Sequence, residues 1–178
     1  LRVAVNRLTQ SHIRKNVNIA MLCAAASAIG ILENSLPSLS AIPGGKIGAA
    51  NAVIALALYV YGIKYAFLIS ILRSLVTSFV FMGANALPYS LAGAVLSMAV
   101  MAFLYEKKGI SPIGVCISGA LFGNAAKVFV SCMMLKSFVP IKYFAYLIPV
   151  SLVCGYAVGL FVICLLKYKN IILKEDRK

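Results

Sequence analysis

Between Val17 and Leu166 the chain is a succession of apolar runs, parted by short breaks that hold a proline, a glycine or a basic residue. Most runs approach the ~20 residues that a helix needs to cross a bilayer. Only 12% of the 178 residues are charged and 62% are hydrophobic, whereas a soluble domain carries about 25% charged residues. The pattern predicts an all-α integral membrane protein with six transmembrane helices and no soluble domain. The spans run from about Val17 to Leu36, Ile47 to Tyr61, Tyr65 to Met82, Pro88 to Tyr105, Pro112 to Leu135 and Pro140 to Leu166. Prolines at the heads of the last three fit first-turn positions, where a missing N–H costs nothing. Residues 1–16 read as a basic juxtamembrane N-terminus, 17–166 as the six-helix domain and 167–178 as a basic tail. The N-terminal stretch lacks the short apolar region and small-residue cleavage site of a secretory signal.

The net charge of +13 lies beside the apolar runs, as topology signals and contacts to anionic lipids do. No soluble basic face is left for nucleic acid. Arg2, Arg7, Arg14, Lys15, Lys64, Lys107, Lys108, Lys167, Lys169, Lys174, Arg177 and Lys178 fall on one side. Lys46, Lys136 and Lys142 fall on the other. The asymmetry predicts both termini on the cytoplasmic side of a multi-pass membrane protein. The five cysteines, Cys23, Cys116, Cys132, Cys154 and Cys164, lie in apolar runs without a CxxC pair and read as packing residues. His12 has no partner that would make it a metal ligand.

Charges inside a span cost roughly 2.5–3.5 kcal/mol each and usually face a cavity or a partner. Glu33, Arg73 and Lys127 are such charges, and Lys46 stands at the head of the second span. With alternating helix directions, all four fall between mid-membrane and the outer face, as do Asn34, Asn51, Asn85 and Asn124. A polar cluster at that depth predicts an extracytoplasmic binding pocket, and three cations against one carboxylate favour an anion. The alternative is a buried bridge from Glu33 to Lys46 or Arg73, with Lys127 snorkelling outward.

The stretch AIPGGKIGAAN, Ala41 to Asn51, fits the pocket reading. Gly44 and Gly45 permit an irregular approach, and a helix starting there turns its positive end to the cavity. Lys46 adds a charge, and Gly48 leaves room beside Asn51. Close packing through Gly44 and Gly48 is compatible with the same residues. Gly119, Gly123, Asn124 and Lys127 repeat that composition in the fifth span. Ala20, Ala24 and Ala28 form a stripe at spacing four on the first helix, suited to internal packing or to a docking partner. Gly155 and Gly159 form a second stripe, assigned to internal packing.

Six spans, an outward pocket and the alanine stripe together resemble the substrate-binding S components of energy-coupling factor (ECF) importers. That resemblance implies an S-component-like bundle, with Ala20, Ala24 and Ala28 docking on a transmembrane scaffold subunit driven by ATPases. The pattern E…P…PGxKxGxxN, on Glu33, Pro37, Pro43, Gly44, Lys46, Gly48 and Asn51, resembles the signature of the Gx transporter family. That family is also labelled heptaprenyl diphosphate synthase component I, and the resemblance implies the bacterial cytoplasmic membrane. The expected function is capture of a small anionic or amphipathic ligand, an isoprenoid phosphate or quinone precursor, at Glu33, Lys46, Gly48, Asn51, Arg73, Asn124 and Lys127. The alternatives are uptake of a flavin or another vitamin, and a non-catalytic membrane partner of a prenyl diphosphate synthase.

Independent catalysis is not expected. Prenyl diphosphate chemistry needs Mg²⁺ on aspartate-rich motifs, and the chain has one aspartate, Asp176. No catalytic residue, metal site or cofactor is expected. The absence of a phosphate-binding P-loop places any energy source in a partner or a gradient.

Overall fold

The computed structural model describes residues 2–35, 48–82, 87–107 and 109–175, which are helical with no strand among them. The helices are α1 (Arg2–Ser35), α2 (Ala49–Tyr61), α3 (Ile63–Thr77), α4 (Leu87–Glu106), α5 (Pro112–Leu135) and α6 (Val139–Glu175). A π-helical turn, Ser78–Met82, continues α3. The prolines stand in first turns: Pro112 opens α5 with Ser111 as its N-cap, and Pro88 and Pro140 are second residues of α4 and α6. Helix α1 begins at Arg2 and α6 runs on to Glu175.

Five helices are long and apolar enough to cross a membrane, with spans Lys15–Glu33, Ile63–Val80, Leu87–Glu106, Pro112–Leu135 and Phe144–Tyr168. The expected sixth span is a shorter apolar helix. At 13 residues, α2 is about 20 Å long, short of the ~30 Å hydrocarbon layer. Glycines with positive φ bound it, Gly48 in the left-handed helical region at φ 73° and Gly62 at φ 88°, ψ 176°. Its alanine-rich faces are buried on several sides, at Ala50, Ala52, Ile54, Ala55, Ala57 and Leu58. It packs within the bundle against α1, α3 and α6.

Successive helices alternate in direction. In α5 and α6, Gly155 and Gly159 lie on Ile117 and Ile113, so close that a Cβ would stand 2.7 Å and 2.6 Å from their Cα atoms. Gly119 and Gly123 of α5 meet Met101 and Ser97 of α4 in the same antiparallel sense. Lys15 lies over the Tyr65 ring, 4.2 Å from its centroid, and Gly30 lies against Arg73 and Thr77. Helices α1 and α3 therefore run parallel. Tyr59 and Tyr105 meet edge to face at 5.1 Å, which puts the ends of α2 and α4 together. The start of α1 thus shares one end of the bundle with the end of α6.

The fully buried apolar side chains, Leu58, Ile69, Met98, Val115 and Val162, lie toward that end. They fill the space between the helices there and leave the opposite half to polar residues. The contact at Gly155 gives a clear test. Gly155→Val should cost about 1–3 kcal/mol by overpacking against the α5 backbone, seen as a lower thermal midpoint in detergent. Ala157→Val, on the exposed face of α6, should leave the midpoint unchanged.

Candidate functional site

The polar half of the bundle encloses a cavity of about 80 Å³ to which all six helices contribute. Glu33 comes from the end of α1, and Gly48 and Asn51 from the start of α2. Arg73 with Ser70, Ser74 and Thr77 comes from α3, Ser90, Gly93 and Ser97 from α4, Asn124 and Lys127 from α5, and Ser151 and Cys154 from α6. Its floor is apolar, with Ile54, Met98 and Met101.

Each charged group is held in a distinct way. The Glu33 carboxylate accepts a hydrogen bond from the Ala49 amide, at 2.5 Å. It therefore caps α2 from a neighbouring helix, an anion at the positive helix end. Gly48 makes this approach possible, because its left-handed φ lets the chain turn into α2. The Asn51 amide donates to the Gly48 carbonyl at 2.8 Å. The start of α2 therefore meets an internal carboxylate, where an open anion site was expected.

Arg73 donates from Nη1 to Asn51 Oδ1 at 2.9 Å, which fixes the guanidinium plane across the cavity. Its Nε is buried and has no hydrogen-bond partner among the described residues. The guanidinium passes Gly30, where a Cβ would stand 3.2 Å from Nε. Lys127 lies along α4 at Gly93, where a Cβ would stand 2.8 Å from Cε and 2.9 Å from Cγ. Gly93 thus clears the path that the lysine stem takes between α4 and α5. Asn124 donates from Nδ2 to Ser151 Oγ at 2.8 Å, and Ser151 passes the bond to the Leu147 carbonyl at 2.6 Å. Ser97 ties α4 to the Gly119 carbonyl at 2.7 Å.

Of the seven residues expected to bind ligand, Glu33, Gly48, Asn51, Arg73, Asn124 and Lys127 line this one cavity. Lys46 lies outside the described residues, as do Pro37, Pro43, Gly44, Gly45 and Asn85. Ala20, Ala24 and Ala28 are exposed on α1 and line no part of the cavity. The hydroxyls were missed. Ser70, Ser74 and Thr77 stand on one face of α3 with Arg73, at helical spacing of four and three, a signal the sequence does carry. Cys154, read as a packing residue, lines the cavity.

A family model described as heptaprenyl diphosphate synthase component I matches residues 22–165. The chain belongs to that family. No significant match was found among curated proteins or among solved structures. The stretch matched to the heptaprenyl diphosphate synthase component I model contains every residue of the cavity. Asp176, the chain's one aspartate, lies outside it.

The Glu33 cap is testable in this family member by itself. Glu33→Ala should destabilise the bundle by about 1–2 kcal/mol, because the Ala49 amide loses its acceptor at membrane depth. Glu33→Gln, which keeps an acceptor oxygen, should recover part of that loss in a thermal unfolding series.

Proposed function

We propose that the chain is a substrate-capturing membrane subunit that receives the anionic head of a small amphipathic ligand in the polar cavity. The observation that carries this reading is the Arg73 guanidinium. A buried Nε with no partner among the described residues is a costly thing to keep, and a ligand oxygen would satisfy it. Lys127 brings a second cation to the same space, and the Glu33 charge is engaged with the start of α2. Discontinuous or short helices whose N-termini end at mid-membrane are a recurring way to build transporter sites, and α2 has that form.

The size of the cavity favours one ligand class. At about 80 Å³ it is well below the ~300–1,000 Å³ of sites that enclose whole small molecules. A phosphate-sized head fits that space, and a flavin ring system does not. An isoprenoid phosphate or quinone precursor is therefore the preferred ligand, with its apolar part outside the cavity. On this reading the chain has six membrane-embedded helices with both termini cytoplasmic, and the cavity opens to the extracytoplasmic half of a bacterial membrane; the concentration of lysines and arginines on the side of the termini supports it. Import would follow the S-component scheme, with the exposed alanines Ala20, Ala24 and Ala28 meeting a scaffold subunit that ATPases drive.

The family match favours a second reading, a non-catalytic membrane partner of a prenyl diphosphate synthase. Co-purification separates the two. A scaffold subunit with ATPases supports import, and a soluble aspartate-rich synthase supports the partner role.

Binding tests the site itself. An allylic monophosphate should bind to the purified protein and the corresponding uncharged alcohol should not. Arg73→Met and Lys127→Met should each weaken phosphate binding by roughly 30-fold, about 2 kcal/mol, with the helix content and elution volume unchanged. Equal affinity for phosphate and alcohol, or wild-type affinity in both variants, would rule out the cavity as an anion site.

A further inference from the structure

A second concavity lies on the outside of the bundle, where α5 ends and α6 begins. It measures about 660 Å³, within the ~300–1,000 Å³ range of small-molecule sites. Its walls are Phe129, Met133, Phe138, Ile141 and Phe144, and the one charged side chain in its lining is Lys136. It shares no residue with the polar cavity. On α5 the two sites occupy different faces, Gly123, Asn124 and Lys127 on one and Ala125, Phe129 and Cys132 on the other.

Three features define what can fill it. First, the groove straddles the ends of two spans. Phe129 and Met133 belong to the span Pro112–Leu135 and Phe144 opens the span Phe144–Tyr168, while Lys136, Phe138 and Ile141 lie between them. Its apolar wall thus starts within the spans, and its charge lies just outside them. Second, Lys136 has no ion-pair partner among the described residues. It caps α5 in a left-handed conformation at φ 46°, which fixes where its side chain departs. Third, Phe138 is 82% exposed and Phe129 64%, and methionine beside them adapts to flexible chains. An apolar trough that starts within two spans and ends beside a cation with no ion-pair partner among the described residues has the polarity of a single membrane lipid.

We infer that this groove holds the hydrocarbon chain of an anionic phospholipid, with the headgroup phosphate on Lys136. One lysine near a membrane surface contributes about a fivefold preference for anionic over zwitterionic lipid. The site is independent of ligand capture in the polar cavity.

The test is native mass spectrometry of the purified protein in detergent with equal amounts of phosphatidylglycerol and phosphatidylcholine. The expected result is a one-lipid adduct enriched about fivefold in phosphatidylglycerol. Lys136→Asn, which removes the charge and keeps a residue that tolerates the left-handed conformation, should erase the preference. Phe138→Ser, at an exposed position that carries no packing, should lower retention of both lipids. Arg73→Met should leave the adduct unchanged. Equal retention of both lipids by the wild type, or a preference that survives Lys136→Asn, would overturn the inference. So would loss of the adduct in Arg73→Met, which would put the lipid in the polar cavity. A dimer mass in place of a lipid adduct would assign the groove to a second copy of the chain and overturn it too.

Discussion

The charged groups of this bundle are arranged around the start of its shortest apolar helix, α2. A full-length membrane helix satisfies its backbone internally and leaves its free ends to water. At about 20 Å, α2 is shorter than the ~30 Å hydrocarbon layer, and its first amide is met inside the bundle. An unmet N–H away from water costs several kcal/mol. Glu33 meets this need from α1, and it can do so because Gly48 turns the chain through a left-handed conformation. The carboxylate then requires compensation of its own, and the cations of α3 and α5 stand around the same space. A short helix thus leads, step by step, to a charged cavity inside an otherwise apolar protein.

The cavity survives because close packing occurs elsewhere. Glycines weld α4, α5 and α6 together: Gly119 and Gly123 admit Met101 and Ser97, and Gly155 and Gly159 admit the α5 backbone. In lipid, such contacts are the main source of helix association, since apolar side chains gain little by leaving hydrocarbon for protein. Gly30 and Gly93 use the same lack of a side chain differently. They leave room for a long cationic side chain, Arg73 at one and Lys127 at the other. A glycine in a membrane helix therefore has two uses here, and the neighbouring side chain decides which.

Much of this was legible in the sequence because membranes permit so few solutions. The apolar runs gave helix limits close to those observed for α2, α4 and α5. Charges inside spans are so costly that Glu33, Arg73 and Lys127 had to face something polar, and they line one cavity. What escaped notice was cheap in energy. Serines and threonines bond back to their own helix, as Thr77 does to the Arg73 carbonyl at 2.8 Å, so hydropathy scarcely registers Ser70, Ser74 or Ser97. The Glu33 cap escaped for another reason. Sixteen positions separate donor and acceptor, and only the tertiary structure reveals that α2 begins where α1 ends. The sequence also marked the second apolar run, Ile47 to Tyr61, as short, and α2 is a shorter apolar helix of 13 residues.

The division of the bundle bears on how a bound anion would leave. The cavity lies between α1–α3, which contribute Glu33, Asn51 and Arg73, and the glycine-packed α4–α6, which contribute Asn124 and Lys127. On the side of the termini, Leu58, Ile69, Met98, Val115 and Val162 close the path with side chains that are fully buried. Packed cores switch between discrete arrangements and do not deform continuously, so passage through that layer would require the two halves to part. Within α4–α6, parting would break backbone contacts at Gly155 and Gly159. Between the halves it would break the Arg73–Asn51 bond only if α2 and α3 separated, and those two helices are joined by the single residue Gly62. The seam between the halves runs between α3 and α4 and between α2 and the α5–α6 pair. Across it, a side-chain hydrogen bond among the described residues, from Ser74 Oγ to the Ser90 carbonyl, is long at 3.4 Å. On the capture reading, the arginine and the lysine stand on opposite sides of that seam. An anion bridging them would hold it shut, and its departure would be the event that lets it open.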